Sequence, residues 1–240
     1  MHHRHQQKVL IGIQARSTST RLPLKCDAMI GPKTILEHVL ATVTDAVDFM
    51  TRNMRDPPVF YSALLIPRGD PLRRYDSQIT VIEGDEWDVL SRYEKALVLY
   101  KPDYLVRLTA DCPLIPEYVI SKHIRSALYG NIDYLTYGHP RFRTSPDGFD
   151  VEVLSKRMLR WLCDHARKPH DREHVTTLLV SDPPDWAKHG HVVDHIDRSS
   201  VKLSVDTVED LERVREEYDK IQRILEDAKT YRPNSVVFRL

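Results

Sequence analysis

Apolar and polar positions follow two alternating periods along the first half of the chain. Val9–Gln14 is an apolar run of strand length. Ile35, Leu36, Val39, Leu40, Val43 and Val47 then recur at helical spacing behind Thr34, a residue suited to cap a helix. Val59–Ile66 returns to strand character and stops at Pro67, and Ile79–Ile82 is a further strand. Asp88 caps a second helix, whose Val89, Tyr93, Ala96, Leu97 and Tyr100 share one face. Tyr104–Thr109 reads as a strand and Tyr118–Leu128 as a helix. Such alternation predicts an α/β fold, a mostly parallel sheet with helices on both faces. In open sheets of this kind, ligands bind beyond the carboxyl ends of the strands.

From Tyr134 the pattern changes. Tyr134–Tyr137 and Val151–Leu154 read as strands around a polar excursion rich in Pro and Arg, Gly138–Gly148. A β-arm or hairpin over 138–150 is expected there, of the kind that reaches a partner subunit or an acceptor. Lys156–Arg167 is helical, and another helix starts near Asp171. Val192–Ile196 and Val201–Val205 read as short strands. The last helix starts at Thr207 and carries Val208, Leu211, Val214, Tyr218, Ile221 and Leu225 on one stripe. No linker divides the chain, so its 240 residues are read as a single domain, with residues 1–7 a disordered tail.

Composition narrows the partners. Lys plus Arg and Asp plus Glu number 35 each, so no overall electrostatic footprint points to nucleic acid or an anionic membrane. No apolar run approaches the roughly 20 residues of a membrane span. His2, His3 and His5 read as part of the polar tail rather than as metal ligands. Cys26, Cys112 and Cys163 are odd in number and widely spaced, which argues for free thiols in a reducing cytoplasm. Glycine is scarce, 8 residues in all, so a phosphate site here must rest on side-chain cations.

The richest candidate chemistry follows the first strand. Gln14-Ala15-Arg16-Ser17-Thr18-Ser19-Thr20-Arg21-Leu22-Pro23-Leu24-Lys25 brings together three cations and four consecutive hydroxyl side chains. Arg grips phosphate oxygens in a fork, Lys adds a point charge, and hydroxyls fill remaining acceptors, so the loop suits a polyphosphate. It lacks the Gly-rich spacing and Gly-Lys-Ser/Thr ending of a Walker loop. The plain alternative is a solvated basic turn. Two aspartates directly follow apolar strands, Asp111 in Thr109-Ala110-Asp111-Cys112-Pro113-Leu114 and Asp206 in Leu203-Ser204-Val205-Asp206-Thr207. Carboxylates are ligands Mg²⁺ prefers, usually one or two of them beside substrate phosphates. Read singly, Asp111 shapes the turn into Cys112-Pro113 and Asp206 caps the final helix.

Six segments in order carry a resemblance across nearly the whole chain. They are the loop Gln14–Lys25, Asp88–Tyr93, Val106–Leu114, Pro146–Val153, Arg172–Thr176 and Ser204–Leu211. Together they resemble the cytidylyltransferases related to 3-deoxy-manno-octulosonate and acylneuraminate cytidylyltransferases, with the spore-coat polysaccharide biosynthesis group as the nearest branch. The resemblance implies a Rossmann-like three-layer nucleotidyltransferase, commonly a homodimer, that uses CTP and Mg²⁺. It implies that Arg16 and Lys25 hold the triphosphate with Arg21 and Ala15, and that Asp111 and Asp206 bind the metal. One departure is Leu24, where the family usually has Gly.

Other positions are read two ways. Arg92 and Arg107 recognise base or ribose, or else are a solvated helix arginine and a strand residue in an ion pair. Asp150, Glu152, Arg172 and His174 line the acceptor pocket, Arg172 suiting an anionic group, although a His early in a helix is more often structural. Asp147 belongs to the turn Pro146-Asp147-Gly148. Trp87 stacks on a base or, the preferred reading, serves as a core or hinge aromatic. His189, His191 and His195 read as surface histidines at a strand edge rather than as metal ligands. The resulting expectation is a Mg²⁺-dependent transfer of CMP from CTP to a small anionic acceptor, a sugar or sugar acid for surface polysaccharide. Rivals are a phosphonate or phosphorylated acceptor, an inactive nucleotide-binding regulator kept in play by Leu24, and, more distantly, a nucleic-acid module.

Overall fold

The computed structural model describes residues 6–230. Strand β1 (Lys8–Gln14) has its five inner residues buried, as a strand covered on both faces requires. A short ribbon, β2 (Met29–Ile30) with β3 (Lys33–Thr34), leads into α1 (Ile35–Asn53). Then come β4 (Val59–Pro67), β5 (Thr80–Gly84), α2 (Val89–Tyr100), β6 (Tyr104–Thr109) and α3 (Glu117–Gly130). The second half holds β7 (Tyr134–Thr136), β8 (Glu152–Ser155), α4 (Lys156–His165), α5 (Pro169–His174), α6 (Thr177–Ser181), β9 (His189–His191) and α7 (Val208–Thr230).

Seven strands form one sheet in the order β5-β4-β1-β6-β8-β7-β9. Strand β8 runs antiparallel to both neighbours, and the other pairings are parallel. Alternate residues of β1 feed opposite layers. Val9, Ile11 and Ile13 pack with α1 and α3, whereas Leu10 packs with α2 and α4. Gly12 also faces α2, where the Tyr93 ring leaves no room: a Cβ there would lie 2.9 Å from the ring. A smaller cluster of Ile30, Ile35, Val205, Leu211 and Val214 fastens α7 to the ribbon. Each fully buried aliphatic side chain contributes about 1.5–3 kcal/mol, so the layers hold the helices more than helix propensity does.

The register sets the site. Gln14 lies opposite Leu65 on β4 and Thr109 on β6, so three parallel strands end together. Their last ladder bonds, Ala15 N–H to Leu65 O and Ala110 N–H to Gln14 O, send the cationic loop and Asp111 out of the same edge. Both predicted caps are present. Thr34 and Glu37 close a capping box on α1, and Asp88 accepts from the Ser91 N–H at the start of α2.

Several expectations are corrected. Residues 138–150 contain no strand, and their one β-bridge is an isolated pairing of Asp147 with Lys202. Pro140 and Pro146 remove donors, and side chains bond the local backbone instead: Ser145 to Tyr137 O, Arg143 to Pro146 O, and Asp150 from Gly148 N–H. Val192–Ile196 is not a strand either. The edge strand is His189–His191, and after Val192 bonds Thr136 O the chain departs, with Asp194 N–H on the Thr144 hydroxyl. Residues 201–205 form no strand, and their one β-bridge pairs Lys202 with Asp147. The predicted tail lies mostly outside the described residues, His2, His3 and His5 with it; Gln6 bonds Pro57 O, and Gln7 O accepts from Val59. Among the described residues, no helix is long and apolar enough to cross a membrane.

Candidate active site

The cationic loop is shaped from beneath by a residue the sequence reading passed over. Asp70, buried, accepts from Ser17 through both N–H (2.8 Å) and hydroxyl (2.6 Å). Ser17 is therefore a fastening point rather than a free phosphate donor, and the Thr18 hydroxyl is likewise bound to Glu86. Asp70-Pro71 was the available signal, since Asp before Pro marks a short helical start. Further on, Leu24 adopts φ 55° and ψ 29°, the left-handed conformation that a glycine would take without strain. Its N–H closes back onto Ser17 O, and the chain turns so that Lys25 points inward.

Lys25 is where the separate segments meet. Its Nζ lies 2.9 Å from Asp111 Oδ2, 3.2 Å from Asp206 Oδ1 and 2.9 Å from Val205 O. The two distant aspartates are joined by backbone as well, Val205 N–H donating to Asp111 O. Burial works to lower the Lys25 pKa, but Asp111 and Asp206 outweigh it and raise it, so the ammonium stays charged. Burial likewise works to raise the Asp111 pKa, and Lys25 with the Thr109 hydroxyl brings it down, so the carboxylate stays ionised. Asp206 is free for this role because capping of α7 falls to its neighbours: Asp210 accepts from the Asp206 and Thr207 N–H groups, and Thr207 Oγ1 accepts from Asp210. Two carboxylates and a carbonyl around one cationic point form an all-oxygen donor set, which fits Mg²⁺.

Two cavities adjoin this point, and Thr109, Asp111 and Asp206 line both. The first, of about 410 Å³, is lined by the loop, including Ala15, Arg16, Arg21 and Lys25, and by Trp87 and His174. Trp87 is 60% exposed at its rim with the Arg16 guanidinium 5.3 Å from the ring centre, so the core reading of this residue is wrong. Arg21 pairs with Asp206 at 3.1 Å. The second cavity, of about 330 Å³, is lined by Arg107, Tyr134, Asp147, Asp150 and Glu152 among others. Among the described residues lining it, Arg107 is the single Lys or Arg, and it is already paired.

The remaining arginines divide sharply. Arg92 is not a solvated helix residue; it is 2% exposed, and its guanidinium donates to Leu65 O at 3.0 Å and more weakly to Ala15 O and Glu86 O. It underpins the loop cavity by holding three backbone carbonyls, and burial lowers its pKa. Arg107 takes the ion-pair reading: Nε bonds Gln14 Oε1 and the guanidinium pairs with Glu152, whose other oxygen accepts the Tyr134 hydroxyl. Arg172 lines neither cavity. Its Nε donates to Asp88 at 2.7 Å and it also bonds Ala166 O, which ties α5 to the start of α2. His174 lines the loop cavity and not the cavity that Asp150 and Glu152 line. Hydrogen bonds at a distance in sequence set the surroundings of the three arginines, and residue spacing carries no trace of them.

No family model matches the chain. An uncharacterized protein of Methanocaldococcus jannaschii, MJ1063, is 26% identical over 206 residues, 85% of this chain and 80% of the relative. The spore coat polysaccharide biosynthesis protein SpsF of Bacillus subtilis is 25% identical over 222 residues, 88% of this chain and 87% of that one. The structure of a cytidylyltransferase from Leptospira borgpetersenii matches with a TM-score of 0.75 and 26% identity, covering 98% of this chain and 100% of that chain. A CMP:2-keto-3-deoxy-manno-octonic acid synthetase complexed with CTP matches at 0.64 and 15% identity, over 90% and 100% of the two chains. Rv0371c of Mycobacterium tuberculosis in complex with manganese matches at 0.57 and 16%, over 88% and 98%. The last two likenesses concern the fold. The chain resembles the cytidylyltransferases, enzymes of the nucleotidyltransferase class, and shares their layered α/β fold.

Proposed function

We propose that this enzyme transfers the CMP group of CTP to an oxygen of a small sugar-type acceptor and releases pyrophosphate, with Mg²⁺ as cofactor. The observation that carries the reading is Lys25 bridging Asp111 and Asp206 at the boundary of two cavities. One cavity, edged by Arg16, Arg21 and Lys25, suits a triphosphate; the other suits an acceptor. The nucleotide assignment is supported by the likeness to cytidylyltransferases and by the CTP complex of a neighbour. The sugar assignment is supported by the polysaccharide-biosynthesis relative.

In-line displacement at the α-phosphorus asks little covalent chemistry of a protein and much positioning and cationic stabilisation. Arg16 and Lys25 hold the triphosphate and stabilise charge on departing pyrophosphate, with Arg21 at the mouth. Arg92 keeps the loop backbone at fixed height beneath the nucleotide, and Trp87 offers a face to the base once Arg16 turns to phosphate. Mg²⁺, held by Asp111 and Asp206, would neutralise phosphate charge and lower the pKa of the attacking oxygen. Pyrophosphate release on mixing the protein with CTP, Mg²⁺ and acceptor tests the reading, and activity restricted to ATP or GTP would refute it. Asp111→Asn keeps volume but loses charge; turnover is expected to fall by more than about 100-fold, with a lowered but still cooperative melting transition because Lys25 loses a charged partner. Full activity of that variant would remove Asp111 from the metal site.

A further inference from the structure

We infer that Glu86 and Trp87 form the base-reading end of the loop cavity. The indole stacks on the nucleobase and the Glu86 carboxylate accepts from an exocyclic amino group, so that CTP is taken in preference to UTP. The inference rests on the CMP-transfer reading and names the side chains that select the base. Polar residues lining this cavity fall into two bonded groups. One is Lys25, Arg21, Asp111 and Asp206, where phosphate and metal chemistry belongs. The other joins Thr18, Glu86, Arg92 and the Ala15 carbonyl, with Trp87 next in the chain to Glu86. A triphosphate seated on the first group leaves its base to the second.

The second group is held in place by its own turn. Asp85 Oδ1 accepts from the N–H groups of both Trp87 and Asp88 at 2.8 Å, and Asp88 caps α2 through the Ser91 N–H. Buried Arg92 donates to Glu86 O at 3.4 Å. These bonds fix the backbone on both sides of an exposed indole. An aromatic side chain left in water on a fixed turn is a stacking platform with little freedom to lose on binding. One face of the ring is turned to the loop, since the Arg16 guanidinium already lies over it. Stacking alone accepts any base, because each has a π face. Selection therefore falls to the edge of the base. Of the two lining carboxylates outside the metal group, Glu86 and Glu173, Glu86 is bonded to the loop itself. The Thr18 hydroxyl donates to its Oε1 at 2.5 Å, which fixes the carboxylate and leaves Oε2 for a ligand. A carboxylate only accepts. The 4-amino group of cytosine donates to it, whereas the 4-oxo group of uracil turns lone pairs toward it and leaves the charge unpaired.

Calorimetry of the full chain with Mg²⁺ and the α,β-methylene analogues of CTP and UTP tests the pair. The CTP analogue is expected to bind at least about tenfold more tightly than the UTP analogue. Glu86→Gln should cut that ratio to about threefold or less, because an amide can face either base edge. A role confined to holding Thr18 would weaken both analogues alike and leave the ratio intact. Trp87→Ala should weaken both analogues by about tenfold, with Trp87→Phe recovering most of the loss. Equal binding of the two analogues, a ratio that survives Glu86→Gln, or an affinity that survives Trp87→Ala overturns the inference and leaves the CMP-transfer reading standing. Absence of binding by the CTP analogue instead defeats that reading, and this inference falls with it.

Discussion

Leu24 holds a left-handed backbone conformation that glycine, not leucine, ordinarily supplies. A side chain in the left-handed region costs roughly 1–2 kcal/mol, yet the loop keeps that conformation because it aims Lys25 at the two aspartates. The loop geometry expected of glycine thus persists without glycine, which weakens the case for a dead site. Leu24→Gly should stabilise the protein by about 0.5–1 kcal/mol, less than the full strain because glycine also loosens the unfolded chain. Thermal melting checks this, and a lower melting temperature would show that the half-exposed leucine makes contacts worth more than its strain. At this scale Arg16, Lys25, Asp111 and Asp206 were legible because charged residues directly behind apolar strands fall at the sheet edge where ligands bind. Arg92, Arg172 and Ser17 were not, because an arginine or serine looks the same in sequence whether it meets solvent, a carbonyl or a buried aspartate.

The elements are joined at their ends. Asp88 caps α2 with one oxygen and holds Arg172 of α5 with the other. Loss of a cap costs about 1 kcal/mol, and a partly buried arginine left without its carboxylate adds a similar amount. Asp88→Ala should therefore lower stability by about 2 kcal/mol, or roughly 4–8 °C in melting temperature for a chain of this size. It should also raise the CTP requirement, since α2 carries Arg92 under the loop. Asp88→Asn, which can still cap, should fall between wild type and alanine; an unaltered melting curve for the alanine variant would make the Asp88–Arg172 pair incidental. Helix periodicity and caps made α1 and α2 readable almost to the residue. The strands expected at 192–196 and 201–205 failed because apolar residues in short extended stretches pair only where a neighbouring edge is free, and spacing cannot reveal that edge.

For the whole molecule, the clearest pH-dependent term lies away from the site. His123 on α3 is buried; its Nδ1 donates to Val119 O at 2.6 Å, Nε2 has no hydrogen-bond partner among the described residues, and Tyr137, itself bonded to Asp194, packs on the ring. Burial, with Lys122 adding repulsion and Val119 O and Asp194 opposing it, lowers the pKa from 6.5 to about 4. The folded state then binds fewer protons than the unfolded one between these values. Stability should be complete above about pH 6.5, decline as pH falls toward 4, and level off below, a loss on the order of 3 kcal/mol. Denaturant unfolding from pH 7 to 4 checks the slope, and His123→Leu should flatten it. An equal slope in that variant would place the acid sensitivity elsewhere.

The chain by itself determined the α/β class, the central strands, the caps of the first two helices and the two aspartates that meet at Lys25. These follow from local periodicity and from polar groups set at strand ends, properties that neighbours in sequence control. Tertiary structure alone decided which cavity each remaining side chain serves. It turned Arg92 and Arg107 into buried supports, turned Arg172 away and brought Trp87 to the rim. Charge pairing and burial arise between residues far apart in the chain, so only the folded backbone could decide them.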